Sequence, residues 1–132
     1  MMNTLPMVKE KIVTNNAELW IEDDIYMLVH KEDKITSLET VKEQLRIHRE
    51  LGSRKKMPLL VNITNQKGAS PEARNYISNE KVRRTYSAVA LLVGSTFSRI
   101  LGSLTMKIIK PPYPVRMFDT KKQAMDWLQE FK

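Results

Sequence analysis

Two histidines, His30 and His48, are the only imidazoles in the chain, and there is no cysteine. That leaves no thiolate for nucleophilic attack, for a disulfide or for a zinc site, and little material for a His-rich metal centre. An imidazole could act as a general base near neutral pH. Yet His30 closes a strand-like run, where a lone His is more often a surface or edge residue than a base, and His48 falls on the apolar stripe of a helical one, where packing and hydrogen bonding account for it. Asp119, Asp126 and Glu130 have the spacing of helix-surface charges, and Asp23-Asp24 is a turn pair. No nucleophile elbow, phosphate loop, H-E-x-x-H or dinucleotide fingerprint occurs. The residues predict a non-enzymatic chain with no cofactor and no metal site.

Three hydroxyls are better placed. Ser70, Ser95 and Thr120 each stand where a strand-like run gives way to a helical one. A hydroxyl there satisfies orphan amides, and the partial positive charge of a helix start favours an anion. Capping alone also explains their residue types.

The elements that position these residues follow from hydrophobic period. Residues 9–14, 17–22 and 25–30 read as short strands separated by Asn15-Asn16 and Asp23-Asp24; the last two alternate apolar and polar, an antiparallel hairpin. A helix is predicted over 37–51, with Thr36 and Glu39 as a capping box and Leu38, Val41, Leu45, His48 and Leu51 on one face. A strand over 57–63 leads into a polar loop at 64–69. Ser70-Pro71-Glu72 then opens a helix toward Tyr86, with a break near Ser78-Asn79. Residues 88–93 are apolar throughout, as in a strand covered on both faces. The helix predicted over 96–107 carries the stripe Phe97, Ile100, Leu101, Leu104 and Ile108. A short strand at 115–118 precedes a last helix, capped by Thr120 with Gln123 and buried through Ala124, Trp127, Leu128 and Phe131.

The fold class is therefore α/β: a mixed sheet with an N-terminal antiparallel hairpin, followed by alternating α and β. At 132 residues the chain suits one domain, here residues 9–132 after a loose leader at 1–8. In open α/β sheets ligands meet the carboxyl ends of the strands. That edge would gather residues 64–70, Gly94-Ser95-Thr96 and Asp119-Thr120.

Charge is unevenly divided. Residues 1–36 hold four basic and seven acidic side chains, and residues 37–132 hold 18 and eight, for net charges of −3 and +10. The basic residues are scattered, no aromatic residues interleave with them, and no recognition motif accompanies them, so nucleic acid is not the expected partner. The longest unbroken aliphatic run, 88–93, is six residues, far short of a membrane span. The start of the chain lacks the apolar core of a signal peptide, and the expected compartment is the cytoplasm.

Ala88-Val89-Ala90-Leu91-Leu92-Val93, then Pro114-Val115-Arg116-Met117-Phe118-Asp119, then Ala124 and Trp127-Leu128, resemble the STAS fold. Within it they are most similar to the compact bacterial SpoIIAA-like group, also labelled STAS/SEC14-like. The resemblance spans roughly residues 17–131 and rests on core positions, so it speaks for fold more than for activity. It implies an STAS-like sandwich. In STAS antagonists a phosphorylatable Ser begins the helix after a strand, and Ser70 falls on that position. Ala69 replaces the acidic residue before it, Pro71-Glu72 replace the Gly-rich continuation, and Asn62 stands where an Asp often ends the strand. The SEC14-like label implies an apolar cavity.

Two functions follow as expectations. The first is a regulatory or binding module that meets a protein partner through Ser70, Asn62, Thr64, Asn65, Lys67, Glu72, Arg74, Ser95 and Thr96. The second is a carrier or sensor of a lipid or other apolar small molecule, in a pocket under the 96–107 helix lined by Phe97, Ile100, Leu101 and Leu104. A homodimer is a further expectation, through an exposed apolar or edge-strand surface that the sequence does not locate.

Overall fold

The alternating run from Ala17 to His30 folds as the expected hairpin. In the computed structural model, which describes residues 10–31 and 35–132, strands β1 (Ile12–Val13), β2 (Ala17–Glu22) and β3 (Ile25–His30) are antiparallel. Asp23 and Asp24 turn the hairpin with φ of 53° and 57°. Paired positive φ matches the twist of the flanking strands, and Asp tolerates it better than most residues. The leader at 1–8 and the side chains of Thr105, Ile108 and Ile109 lie outside the described residues.

The remaining elements are β4 (Ile35–Thr36), α1 (Leu38–Leu51), β5 (Met57–Asn62), β6 (Gly68–Ala69), α2 (Pro71–Tyr76), α3 (Glu80–Thr85), β7 (Tyr86–Leu92), α4 (Thr96–Ile109), β8 (Val115–Phe118) and α5 (Lys121–Leu128), with a closing 3-10 turn at Gln129–Phe131. Strands β3, β5, β7 and β8 are parallel, and the main sheet runs β1-β2-β3-β5-β7-β8. The mixed α/β class stands.

Local readings differ in three places, the first being the strand expected over 9–14, which among the described residues is only Ile12–Val13. Ser37, not Thr36, caps α1: its hydroxyl accepts from Thr40 N at 3.2 Å. Thr36 is instead held in β4, where its Oγ1 accepts from Gln66 Nε2 at 2.8 Å. Residues 64–69 are also not all loop, because Gly68 and Ala69 pair in parallel with Ile35 and Thr36. Two-residue strands have no period to read. The break foreseen near Ser78-Asn79 is present, and Asn79 Oδ1 caps α3 through Lys81 N.

The strand order from β3 to β8 advances in one direction. Right-handed crossovers then deliver α1, α2, α3 and α4 to the same face of the sheet. Helix α5 follows the last strand, has no further strand to reach, and covers the opposite face. There Ala124 and Leu128 pack with Trp20, Ile25, Met27, Leu60, Ala88 and Ala90. The larger core lies on the first face, where Leu45, Ile47 and Val82 of the helices meet Leu19, Tyr26, Leu28, Leu59, Val61 and Val89. An order that never reverses also has no switch point, so the crevice of a doubly wound sheet is absent at the carboxyl edge.

Candidate functional site

The helix-rich face contains a cavity of about 200 Å³. Its floor is the sheet, through Leu28, His30, Leu59, Val61, Val89, Leu91 and Val115. Its walls include Val41, Gln44 and Leu45 of α1, Ala73, Arg74 and Ile77 around α2, Val82 of α3, and Leu101 and Met106 of α4, with Thr36, Gln66, Tyr86 and Tyr113 as further polar residues. The cavity has a local cause. Helices α2 and α3 are six residues each and separated by a break, so neither spans the sheet. The chain beside them supplies small residues, Gly68, Ala69 and Ala73, that fill little space.

Helix α4 reaches the cavity through Leu101 and Met106 and docks beside β8 through its small side. Ser98 and Gly102 are buried, and a Cβ on Gly102 would stand 2.9 Å from Met117 Sδ. That close approach to β8 turns the large apolar stripe away. Phe97, Ile100 and Leu104 are 56%, 54% and 52% exposed. Of the four residues expected to line an apolar pocket under this helix, Leu101 alone does so. The other three are a correction: a helix docked through glycine and serine presents its bulky stripe to the outside.

The lining is almost entirely apolar, with polar groups at a few points. Gln44 is 5% exposed, and its Nε2 has no hydrogen-bond partner among the described residues. Arg74 donates to the Ala69 carbonyl at 2.7 Å, which ties α2 to β6. His30 is held neutral, since burial pushes its pKa down from 6.5 to about 4.

His48 lies beside this site as a structural clamp. It is fully buried, with Nδ1 2.7 Å from Tyr86 Oη and Nε2 2.9 Å from the Met27 carbonyl. A carbonyl only accepts, so Nε2 carries the proton and Nδ1 accepts from the Tyr86 hydroxyl. Burial lowers its pKa to about 4, against an opposing pull from the Met27 carbonyl. The ring is enclosed by Tyr26 and Tyr86, at centroid distances of 4.8 and 5.7 Å.

At the carboxyl edge the three hydroxyls are caps. Ser70 Oγ accepts from Ala73 N at 3.1 Å, and Thr120 Oγ1 from Gln123 N at 3.2 Å. Ser95 forms a reciprocal capping box with Ser98. Thr64 and Gly94 meet: a Cβ on Gly94 would lie 2.5 Å from Thr64 Oγ1. Asn62 Oδ1 accepts from Thr64 N at 3.0 Å and turns the chain there. Asn65, Lys67, Glu72 and Thr96 are exposed on the same edge, and Ser70 is half-buried. Arg99 of α4 pairs with Asp119, joining the second and third junctions.

Residues 19–132 match the family described as a domain of unknown function, DUF7793. The chain belongs to that family. Its fold is SpoIIAA-like, as in a solved DUF3478-family protein from Shewanella loihica PV-4 described as uncharacterized. That structure is 16% identical, with a TM-score of 0.53 over 97% of this chain and 98% of its own. No curated protein matches. At such identity the likeness speaks for fold alone, and function has to be argued from the DUF7793 chain itself.

The sequence reading missed Gln44. It stands three residues after Val41 and four before His48, on the apolar face of α1. A polar residue at that spacing was a visible signal.

Proposed function

We propose that this DUF7793 chain is a cytoplasmic, non-enzymatic binding module. It takes a small, mostly apolar molecule bearing a hydrogen-bond acceptor into the cavity beneath α1, α2 and α4, and a protein partner reads occupancy at the Ser70 edge. The unpartnered Gln44 Nε2 in an apolar lining carries this reading. Leaving a buried amide donor unpaired costs about 1–3 kcal/mol. A turn of the Gln44 side chain toward the cavity would bring the amide to a carbonyl or ether oxygen on a ligand and recover that cost. Size limits the ligand: an apolar cavity of about 150 Å³ takes up benzene. Here a single ring or a short chain fits, and a two-chain lipid does not.

Coupling to the edge has a physical route. Gly68, Ala69, Ala73, Arg74 and Ile77 line the cavity, and Ser70 sits among them in sequence. A ligand that displaces α2 would move the Ser70 cap. Phosphorylation of Ser70 would instead act from outside, adding about two negative charges at the start of α2.

The test compares 2-heptanone with heptane by methyl chemical shifts of Leu28, Val61 and Val89. The ketone is expected to bind about tenfold more tightly, the worth of one good hydrogen bond. Gln44→Met, similar in shape, is expected to erase that preference. No shift with either probe, or an unchanged preference in Gln44→Met, would overturn the reading.

A further inference from the structure

Residues 42–56 and 80–84 hold nine basic and three acidic side chains, a net +6 out of the chain's +7. Sequence separates the two segments, but the sheet joins them. Strands β5 and β7 are parallel with Met57 opposite Tyr86, so the residues just before both strands lie at one end, and Lys42 and Arg46 extend the basic surface along α1. This is the amino end of the parallel strands, opposite the Ser70 edge.

Two grooves open there, and α3 contributes to both. One, of about 540 Å³, is lined by Lys42, Arg46, Arg49, Arg54 and Lys81, with Glu50 as its one carboxylate among the described residues. The other, of about 460 Å³, includes Lys56, Arg83 and Arg84. Backbone geometry helps to hold Arg54 in place. Ser53 and Arg54 are left-handed, with φ of 52° and 64°, and Arg54 N donates to the Arg49 carbonyl at 2.7 Å. Part of the charge is answered within the helices, Arg46 by Glu50 at 2.9 Å and Arg84 by Glu80 at 2.5 Å. Arg49 donates to Thr85 Oγ1 at 3.0 Å. Arg54, Lys81 and Arg83 form no ion pair with a described residue.

We propose that this basic end docks a carboxylate-rich polypeptide segment. Guanidinium groups match carboxylates in bidentate geometry, and the grooves offer several at once. The rings in the grooves are already engaged, which disfavours nucleic acid. Tyr76 lies under Lys42 Nζ at 5.7 Å, Tyr86 is buried, and Tyr113 donates its hydroxyl to the Ile77 carbonyl at 3.0 Å. No free ring is left as a platform for base stacking. Among the described residues, the exposed large apolar side chains Val13, Ile35, Phe97, Ile100 and Leu104 line neither groove, so the grooves offer a bilayer no apolar anchor.

The experiment measures fluorescence anisotropy of a labelled oligoglutamate peptide and of a thymidine oligonucleotide of equal charge. The triple variant K42E/R54E/K81E is compared with K107E/R116E/K122E, which changes net charge equally at exposed sites outside the grooves. Thermal melting checks that both variants fold. The peptide is expected to bind the wild-type chain more tightly than the oligonucleotide, and to weaken as salt rises. The groove variant is expected to lose about tenfold or more, and the control variant less than about twofold. Equal loss in both variants would reduce the effect to diffuse net charge and overturn the proposal. Tighter binding of the oligonucleotide would overturn it in favour of a nucleic-acid surface, and absence of peptide binding would overturn it outright.

Discussion

The two faces of the sheet are covered in different ways. Beneath α5 the sheet presents Ala88 and Ala90, and Ala124 of the helix lies against them, all fully buried. Small side chains on both partners let one helix come close, and Leu128 and Trp127 fill the margins. On the other face the sheet presents Leu28, Leu59, Val61 and Val89, and four helices share the covering. Two of these are short, and their ends do not meet. One continuous helix, close to the sheet at Ala88 and Ala90 and flanked by Trp20, Met27 and Leu60, makes a filled layer, whereas several helices with a break between them leave a joint, and the cavity is that joint. The polar and titratable interior groups, Gln44, His30 and His48, all belong to the jointed side.

Truncation should separate the faces most sharply. Leu128→Ala removes a fully buried side chain from the filled layer and is expected to cost about 4 kcal/mol. Ile77→Ala removes a half-buried side chain beside existing space and is expected to cost about 1 kcal/mol. Urea denaturation of the two variants would measure the difference, and equal costs would break the comparison.

Acid should act on the jointed side. His30 and His48 are neutral in the fold with pKa values of about 4, against 6.5 outside it. Unfolding releases them to take up protons below pH 6.5. Their contribution to stability is complete above pH 6.5 and is lost as pH falls through about 4. Each contributes at most about 3 kcal/mol. Melting temperature is expected to drop between pH 7 and pH 5, and His48→Gln is expected to lessen that drop. An unchanged acid slope in His48→Gln would remove His48 from this account.

Enlarging one alanine on each side gives the finest contrast. Ala124→Val overpacks the filled layer and is expected to cost about 2 kcal/mol. Ala73→Val points into the cavity wall and is expected to cost less than about 1 kcal/mol, mostly from helix propensity. Thermal melts of the pair would decide whether the cavity can accept volume.

Long periodic segments were legible because their signals are local. The hairpin, α1, the central strand and α5 follow from alternation, helical stripes and caps within a few residues. Strands β4 and β6 were not legible, since two residues carry no period. The cap of α1 was misplaced by one position because Thr36 and Ser37 are both competent, and the contact with Gln66 decides between them. The stripe Phe97, Ile100 and Leu104 was read correctly as helical. Its direction was not legible, because the close approach at Gly102 depends on Met117 in another strand.

From the sequence alone came the kinds of element, their order, and the residues that begin them. Ser70, Ser95 and Thr120 cap their helices as their types require, since a cap bonds within three residues of itself. The tertiary structure decided what only distant contacts can decide. A strand order that never reverses, together with right-handed crossovers, put four helices on one face. That crowding left the cavity, placed Gln44 in its wall with Nε2 unpaired among the described residues, and brought cations of two separate segments together.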